Sequence, residues 1–414
     1  MKAAAPPLLL ERLDQARGET DSLFQIVRPE FLYDRPIPER HRIVFYIGHL
    51  EAFDWNLLRG SLKLDSFDPA SDKLFAFGID PVEGNLPTDQ PADWPSLEQV
   101  YEYRDRVRNT LDQALEEQGA DDLLLNVAIE HRLMHAETLS YIFHQMSFDK
   151  KTGPVPRRDN QGLALAAETV SVPHGKATLG LERGSGVFGW DNEFDAHSID
   201  VPGFAIDRYK VTNGQFLQFL EAGGYSDQQL WTAEGWDWKN TQSIWHPAFW
   251  VKTYEGWTWR TMFGAVPLPL DWPVYVSHAE ASAYAKWSGG RLPTEAEWHR
   301  AAEDAEAPME NPAAGMFDPS PVNAPQLAKS SWGVEGMLGN GWEWTSSKFE
   351  PLPGFQAFES YLGYSAPFFD GKHFVLKGGS VRTAPSMLRR SFRNWFQPHY
   401  QYVYAGFRCV HERD

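Results

Sequence analysis

Cysteine is almost missing from this sequence: Cys409 is the only one. A lone cysteine excludes an intrachain disulfide and any multi-cysteine metal site, and it fits a reducing compartment. Long hydrophobic runs are missing too. No stretch approaches the ~20 apolar residues of a membrane-spanning helix. The opening MKAAAPPLLLERLDQ is broken by Pro6 and Pro7 and soon meets Glu11 and Arg12, which makes a poor secretory signal. The expected setting is cytoplasmic, with no membrane partner. Positive charge is scarce: 38 Lys and Arg stand against 56 Asp and Glu, a formal net charge of −18. Such a surface repels phosphate backbones, so nucleic acid is not an expected partner. There is no repeat of fixed period and no low-complexity tract.

What the chain has in excess is aromatic: 17 Trp, 26 Phe and 15 Tyr in 414 residues. That is more tryptophan than a core ordinarily asks for. A hydrophobic content of 42% excludes global disorder. At roughly 100–200 residues per domain, the length predicts two domains.

The periodicity separates them. Residues 8–29 carry Leu8, Leu9, Leu13, Leu23 and Ile26 at mixed three and four spacing. Residues 40–60 repeat Ile43, Tyr46, Ile47, Leu50, Phe53 and Leu57 near a period of 3.6. A loop rich in Asp, Pro and Gly is expected from Asp65 to about Pro95. Residues 96–118, with Ser96 as N-cap, and residues 122–146 complete four helices, which predicts an up-and-down bundle over 1–150. Residues 151–164 read as a polar linker. From 165 to 414 Gly and Pro are frequent, strands are short and long loops are expected, most of all in the tryptophan-dense stretch Gly224–Trp272. The fold class predicted is α+β.

His131 and His135, in Glu130-His131-Arg132-Leu133-Met134-His135-Ala136-Glu137, lie four apart and so share one helical face. A metal there needs a third ligand from elsewhere. His49, beside the apolar face of the second helix, is the candidate. Glu137 points to another side and suits a supporting role. Three imidazoles without a thiolate suit iron(II), copper or zinc. Histidine pairs at this spacing also occur on helices that bind nothing. HRLMH is not HExxH, because Arg132 follows the first histidine; a zinc protease with a glutamate base is disfavoured.

Five motifs follow in order: Asp207–Asn213 (DRYKVTN), Gly290–Trp298 (GRLPTEAEW), Gly339–Thr345 (GNGWEWT), Gly378-Gly379-Ser380 and Gly406-Phe407-Arg408. Together they resemble the formylglycine-generating-enzyme/sulfatase-modifying domain, a loop-rich fold related to C-type lectins. Those enzymes work through a cysteine pair, which a chain with Cys409 alone cannot provide. Most of the shared residues are expected to be structural. Residues 1–150 resemble the DinB-like bundle of the non-haem iron sulfoxide synthases of ergothioneine and ovothiol biosynthesis and the related selenoneine synthases. The family's lone His and HxxxHxE fall on His49 and on His131, His135 and Glu137. Gly189–Glu193 (GWDNE), Tyr364-Ser365 through Phe368-Phe369 and Arg393-Asn394-Trp395 add to the match.

The resemblance implies an Fe(2+) cofactor on His49, His131 and His135. It also implies O2-dependent joining of a chalcogen to the imidazole C2 of hercynine. Asn394 and Trp395 match the family's substrate motif, and an aromatic face suits a trimethylammonium group. Trp342 or Trp344 is a candidate second wall. The family's proton-handling tyrosine falls close to Phe358; the nearest hydroxyls are Tyr361, the expected proton handler, and Tyr364. The donor region departs from the ergothioneine enzymes. Phe396, followed by Gln397, stands where they often carry Asp, and Met134 stands where they carry a polar residue. A γ-glutamylcysteine donor is therefore disfavoured. Arg104, in Tyr103–Arg108, is a candidate for a carboxylate or a sugar hydroxyl, with a salt-bridged helix surface as the alternative. Arg40–His49 reads closer to the ovothiol type, whose C-terminal methyltransferase has no counterpart in this sequence. The expectation is a selenoneine synthase using a selenosugar (1-seleno-glucose) donor. The alternatives are an ergothioneine-type synthase on cysteine or γ-glutamylcysteine, and a non-catalytic lectin-like binding protein with a DinB-type bundle.

Overall fold

The computed structural model of the chain describes residues 7–76, 86–155, 162–306 and 316–411. Part of the expected loop (77–85), part of the expected linker (156–161) and the first six residues lie outside them. The chain divides into two compact units, Met1–Pro154 and Val155–Asp414.

The first unit is helical: α1 Pro7–Phe24, α2 Ile43–Leu58, α3 Pro69–Leu74, α4 Leu97–Gln118 and α5 Asp122–His144. α1 packs on α5, and α2 packs on both α4 and α5. The core is built where the heptad-like apolar positions meet: Leu13 and Leu23 of α1, Ile43, Ile47 and Leu50 of α2, Val107 and Leu111 of α4, and Leu125, Leu139 and Phe143 of α5 are all buried. Ser96 caps α4 as its sequence predicts: its Oγ accepts from Gln99 N–H, and the Gln99 side chain accepts from Ser96 N–H. α1 ends at Phe24 rather than near residue 29. Pro29 forces Arg28 into extended backbone, and Val27 instead bridges to Lys151. Lys151, placed in the linker by its polarity, is buried, and its Nζ donates to the Phe143 carbonyl at 2.9 Å. The expected loop 65–95 contains α3, started by Asp68 as N-cap and Pro69 at the first turn.

Among its described residues the second unit holds four α-helices, α6 Asn213–Glu221, α7 Ala233–Thr241, α8 His278–Trp287 and α9 Glu295–Ala301. Each is capped by a hydroxyl: Thr212, Thr232, Ser277 and Thr294 accept from the amide three residues on. Its strands are short. β1 (Thr169–Val172), β4 (Phe204–Asp207) and β12 (Val410–His411) form one sheet, and β2 (Gly175–Leu179) pairs with β3 (His197–Val201). β5 (Trp250–Thr253), β6 (Gly256–Arg260) and β7 (Ala265–Pro267) form a meander. The fourth sheet has the order β10-β9-β8-β11, with β8 Trp342–Lys348, β9 Phe374–Lys377, β10 Asn394–Phe396 and β11 Ala405–Gly406. The tryptophan-dense stretch is thus not a bare loop: it carries α7 and the meander, with Trp250 opposite Trp259 across β5 and β6.

Three of the five motifs meet on one carboxylate. Glu343 takes a bidentate pair from Arg408 at 2.7 and 3.0 Å and Lys210 Nζ at 3.1 Å, and all three are buried. Gly378 and Gly379 sit at φ +97 and +110, and a Cβ on Gly378 would lie 2.5 Å from the Met337 carbonyl oxygen. These residues hold the fold together.

Candidate metal centre

α2 presents His49, and α5 presents His131 and His135, one turn apart on the face toward α2. Among the described residues these three can each offer one nitrogen such that all lie within 4.8 Å of one another. All three are buried, at 5%, 3% and 4% exposure. The rings approach edge to face, with centroids 4.5 Å apart for His131–His135 and 5.0 Å for His49–His135.

The protonation state suits a ligand set. Burial pushes the His49 imidazolium down, against the opposing effect of its hydrogen bond to Phe75, and His41 and Arg132 push it further, to about 4. Burial and the neighbouring imidazoles and arginines hold His131 and His135 well below the usual histidine range. Neutral imidazole is the form that binds a metal. His49 Nδ1 lies 2.7 Å from the Phe75 carbonyl oxygen, to which it must donate, so Nε2 is left as the lone-pair nitrogen. His135 Nδ1 is buried with no hydrogen-bond partner among the described residues. A buried polar atom left so is costly unless it is reserved for a ligand. The donor set therefore fits a divalent transition metal of the iron or zinc kind.

A layer around the triad orients it. Phe53 stacks on His131 with centroids 3.4 Å apart and planes at 11°, and Phe45 stacks on His49 at 4.9 Å and 21°. Arg132, between the two α5 ligands in sequence, is fully buried. Its guanidinium donates to both Glu51 oxygens at 3.2 and 2.6 Å, to Asp54 at 2.7 Å and to the Leu50 carbonyl at 3.1 Å. Burial raises Glu51, but Arg132 and Arg108 outweigh it and hold the carboxyl at about 2. Arg132 thus ties α5 to α2 at the level of the ligands. Sequence periodicity placed Phe53 among the apolar positions of the second helix but said nothing of its stacking on His131, of Phe75 or of this tie. The one local signal was Asp68-Pro69, a helix start inside the presumed loop.

The remaining candidates fall into separate groups. Glu137 is buried on α5, and Met134 is half-buried there. Arg104 is half-buried on α4, paired with Asp105 at 2.8 Å and lying over the Tyr101 ring at 4.7 Å, which is the salt-bridged helix surface.

In the second unit, strand alternation divides the run from Asn394. On β10, Asn394 and Phe396 share one face and Trp395 takes the other. Trp395 stacks on Phe349 at 4.2 Å and meets Tyr364 edge-on at 5.3 Å. Phe396 stacks on Tyr400 at 5.0 Å with planes at 3°, and Gln397 is exposed. Tyr364 stacks in turn on Trp190 at 4.0 Å, and Tyr361 and Phe358 meet Trp190 at 6.5 and 6.3 Å. Tyr361, half-exposed, and the buried Tyr364 thus bracket one aromatic cluster with Trp395. Arg393 anchors β10 through a bidentate pair to Glu295 at 2.9 and 3.1 Å. Trp342 and Trp344 do not line an open face. Both are sealed in the core, at 1% and 0% exposure, and Trp344 Nε1 donates to the Val276 carbonyl at 2.8 Å.

Residues 155–413 match the Sulfatase-modifying factor enzyme 1-like domain, and residues 12–144 match the DinB superfamily. The chain is 34% identical over 397 residues to a hercynine oxygenase of Mycolicibacterium thermoresistibile, covering 89% of this chain and 86% of that protein. A hercynine oxygenase of Mycobacterium tuberculosis is 40% identical over 250 residues, covering 56% of this chain and 58% of that protein. Ergothioneine biosynthesis protein 1 of Neurospora crassa is 29% identical over 494 residues, covering 94% of this chain and 56% of that protein. Among the described residues, no helix is long and apolar enough to cross a membrane.

Proposed function

The chain belongs to the ergothioneine-type sulfoxide synthase family, and from that premise we propose an iron(II)- and O2-dependent oxidoreductase that forms a carbon–chalcogen bond at the imidazole C2 of hercynine. The observation that carries the reading is the buried set of three neutral imidazoles, His49, His131 and His135, with nitrogens within 4.8 Å of one another. His49, His131 and His135 would hold iron(II), which would supply the redox chemistry with O2 when bound.

The protein's own share is placement and proton handling. His49 is held in one tautomer by the Phe75 carbonyl, and His131 is held in plane by Phe53. The trimethylammonium of hercynine is assigned to the Trp395 cluster, because a quaternary cation has no proton to donate and binds aromatic faces. Asn394, whose Oδ1 caps Trp395 N–H at 2.9 Å, has its amide NH2 left to orient a polar group. Tyr361 is assigned the proton at the imidazole carbon, with Tyr364 as the second choice.

For the donor, we assign a selenosugar, and the supporting feature is chemical. Phe396 and Met134 are apolar where an amino-acid donor would need paired polar groups. Gln397 is the polar group assigned to its hydroxyls. The second reading is a cysteine or γ-glutamylcysteine donor, in keeping with the relative named for biosynthesis of ergothioneine, a sulfur compound. The test is anaerobic reconstitution with iron(II) and hercynine, followed by O2 with cysteine, γ-glutamylcysteine or 1-seleno-glucose in parallel and product masses as the readout. Turnover confined to the selenosugar is expected. Turnover with cysteine alone refutes that donor, and no turnover with any donor refutes the reaction.

A further inference from the structure

Gly48 lies inside α2, directly before His49, where glycine weakens a helix relative to alanine. Neither the helix nor its φ asks for glycine. What asks for it is Phe75. A Cβ built on Gly48 would lie 2.5 Å from three atoms of the Phe75 ring, a separation that real side chains do not adopt. The ring therefore lies directly on the α2 backbone, and the same residue's carbonyl receives His49 Nδ1–H at 2.7 Å.

Phe75 is held in that position from behind. It follows α3, whose Asp72 accepts from Trp55 Nε1 at 3.0 Å, Ser66 Oγ at 2.6 Å and Tyr103 Oη at 2.8 Å. Asn56 Nδ2 donates to the Asp72 carbonyl at 3.2 Å. The ring itself is 1% exposed and packs against Trp94 and Tyr103. A methyl group on residue 48 cannot push the ring into free space; it must lift the Phe75 segment, and with it the carbonyl, off His49.

We propose that Gly48 is a positioning residue of the metal centre: its missing side chain lets Phe75 close on α2, so that the Phe75 carbonyl sets the tautomer and ring plane of His49. This rests on the metal site proposed above. Losing the group that orients a ligating histidine typically weakens metal binding about 10- to 100-fold.

The test is anaerobic cobalt(II) titration of the full chain, followed by the visible d–d bands, with a thermal melt of the metal-free protein alongside. Gly48→Ala is expected to bind cobalt(II) about 10- to 100-fold more weakly than wild type, with an altered d–d spectrum. The double variant Gly48→Ala/Phe75→Ala, which makes room for the methyl, is expected to recover affinity to near that of Phe75→Ala alone. A Gly48→Ala protein that melts lower but binds with wild-type affinity and spectrum reduces Gly48 to a packing role and overturns the inference. So does a double variant as weak as Gly48→Ala. A wild-type chain that binds no cobalt(II) overturns the metal site itself, which is a distinct outcome. The 15N resonances of metal-free wild type decide independently of whether Gly48→Ala folds: the Nδ1–H tautomer of His49 is expected, and Nε2–H overturns the proposal.

Discussion

His135 contributes a buried Nδ1 with no hydrogen-bond partner among the described residues, whereas His49 has one nitrogen committed to a carbonyl and one left over. The two residues therefore depend on a metal to different degrees. Replacing His135 with alanine removes one of three ligands, and iron(II) retained after anaerobic gel filtration is expected to fall from stoichiometric to background; undiminished iron would count against the ligand set. Far from this site, His411 donates from Nε2 to Asp207 at 2.9 Å. That hydrogen bond, acting against partial burial, raises the imidazolium above its ordinary value. A raised histidine contributes stability that is fully present below about pH 6.5 and is lost as pH rises through the folded value. His411→Gln is accordingly expected to be less stable than wild type at pH 6, with the gap narrowing by pH 9. Urea denaturation at the two pH values measures it, and a gap that does not change with pH would contradict the assignment.

Between elements, the pairing that matters is α2 with α5, since each carries part of the ligand set. Arg132 joins them through Glu51 and Asp54, with no exposure on the guanidinium or Asp54 and 2% on Glu51. A buried pair of this kind adds little over apolar packing, but removing one partner leaves uncompensated charge and costs about 3–5 kcal/mol. Arg132→Met is expected to lower unfolding stability by about that amount and to weaken iron binding with it, because both helices must keep their register. Denaturant titration checks the first effect, and a loss under about 1 kcal/mol would show that the helices hold register without the arginine. α3 acts on a smaller scale. Its six residues bring the Phe75 carbonyl to His49 and are themselves fixed by the single carboxylate of Asp72.

Taken whole, the molecule is strongly acidic, with a formal net charge of −18. Repulsion of that size acts over about a Debye length, near 10 Å at 0.1 M salt, and opposes any phosphate backbone. No retention on heparin or duplex DNA is expected at 0.1 M salt and pH 7; retention would reveal a local basic surface that the net charge conceals. The aromatic excess also belongs to this scale. Trp190, Trp250, Trp259, Trp298, Trp342 and Trp344 are all fully buried in the second unit, where short strands leave little regular structure to build a core from. Large side chains fill that space, and some of their indole N–H groups find partners, as Trp259 does with Asp318 at 2.9 Å and Trp344 with the Val276 carbonyl at 2.8 Å.

Period and capping are local, so the sequence by itself determined four long helices, the Ser96 start of α4, the shared face of His131 and His135, and the five motifs that mark the second unit. It also carried the family resemblance, which the relatives bear out. α3 went unread because six residues make too short a period to detect, and the Trp250–Trp259 pairing because it lies across strands. Glycine at 48 acquires a reason only from the Phe75 ring that lies against it. Asn394 and Trp395, neighbours in one motif, were parted by the pleat of β10, and Trp342 and Trp344 were taken from a supposed wall into the core. How near His49 comes to the α5 pair was likewise a matter for the tertiary structure, since that distance depends on how α2 packs on α5, through Arg132, across more than eighty residues of chain.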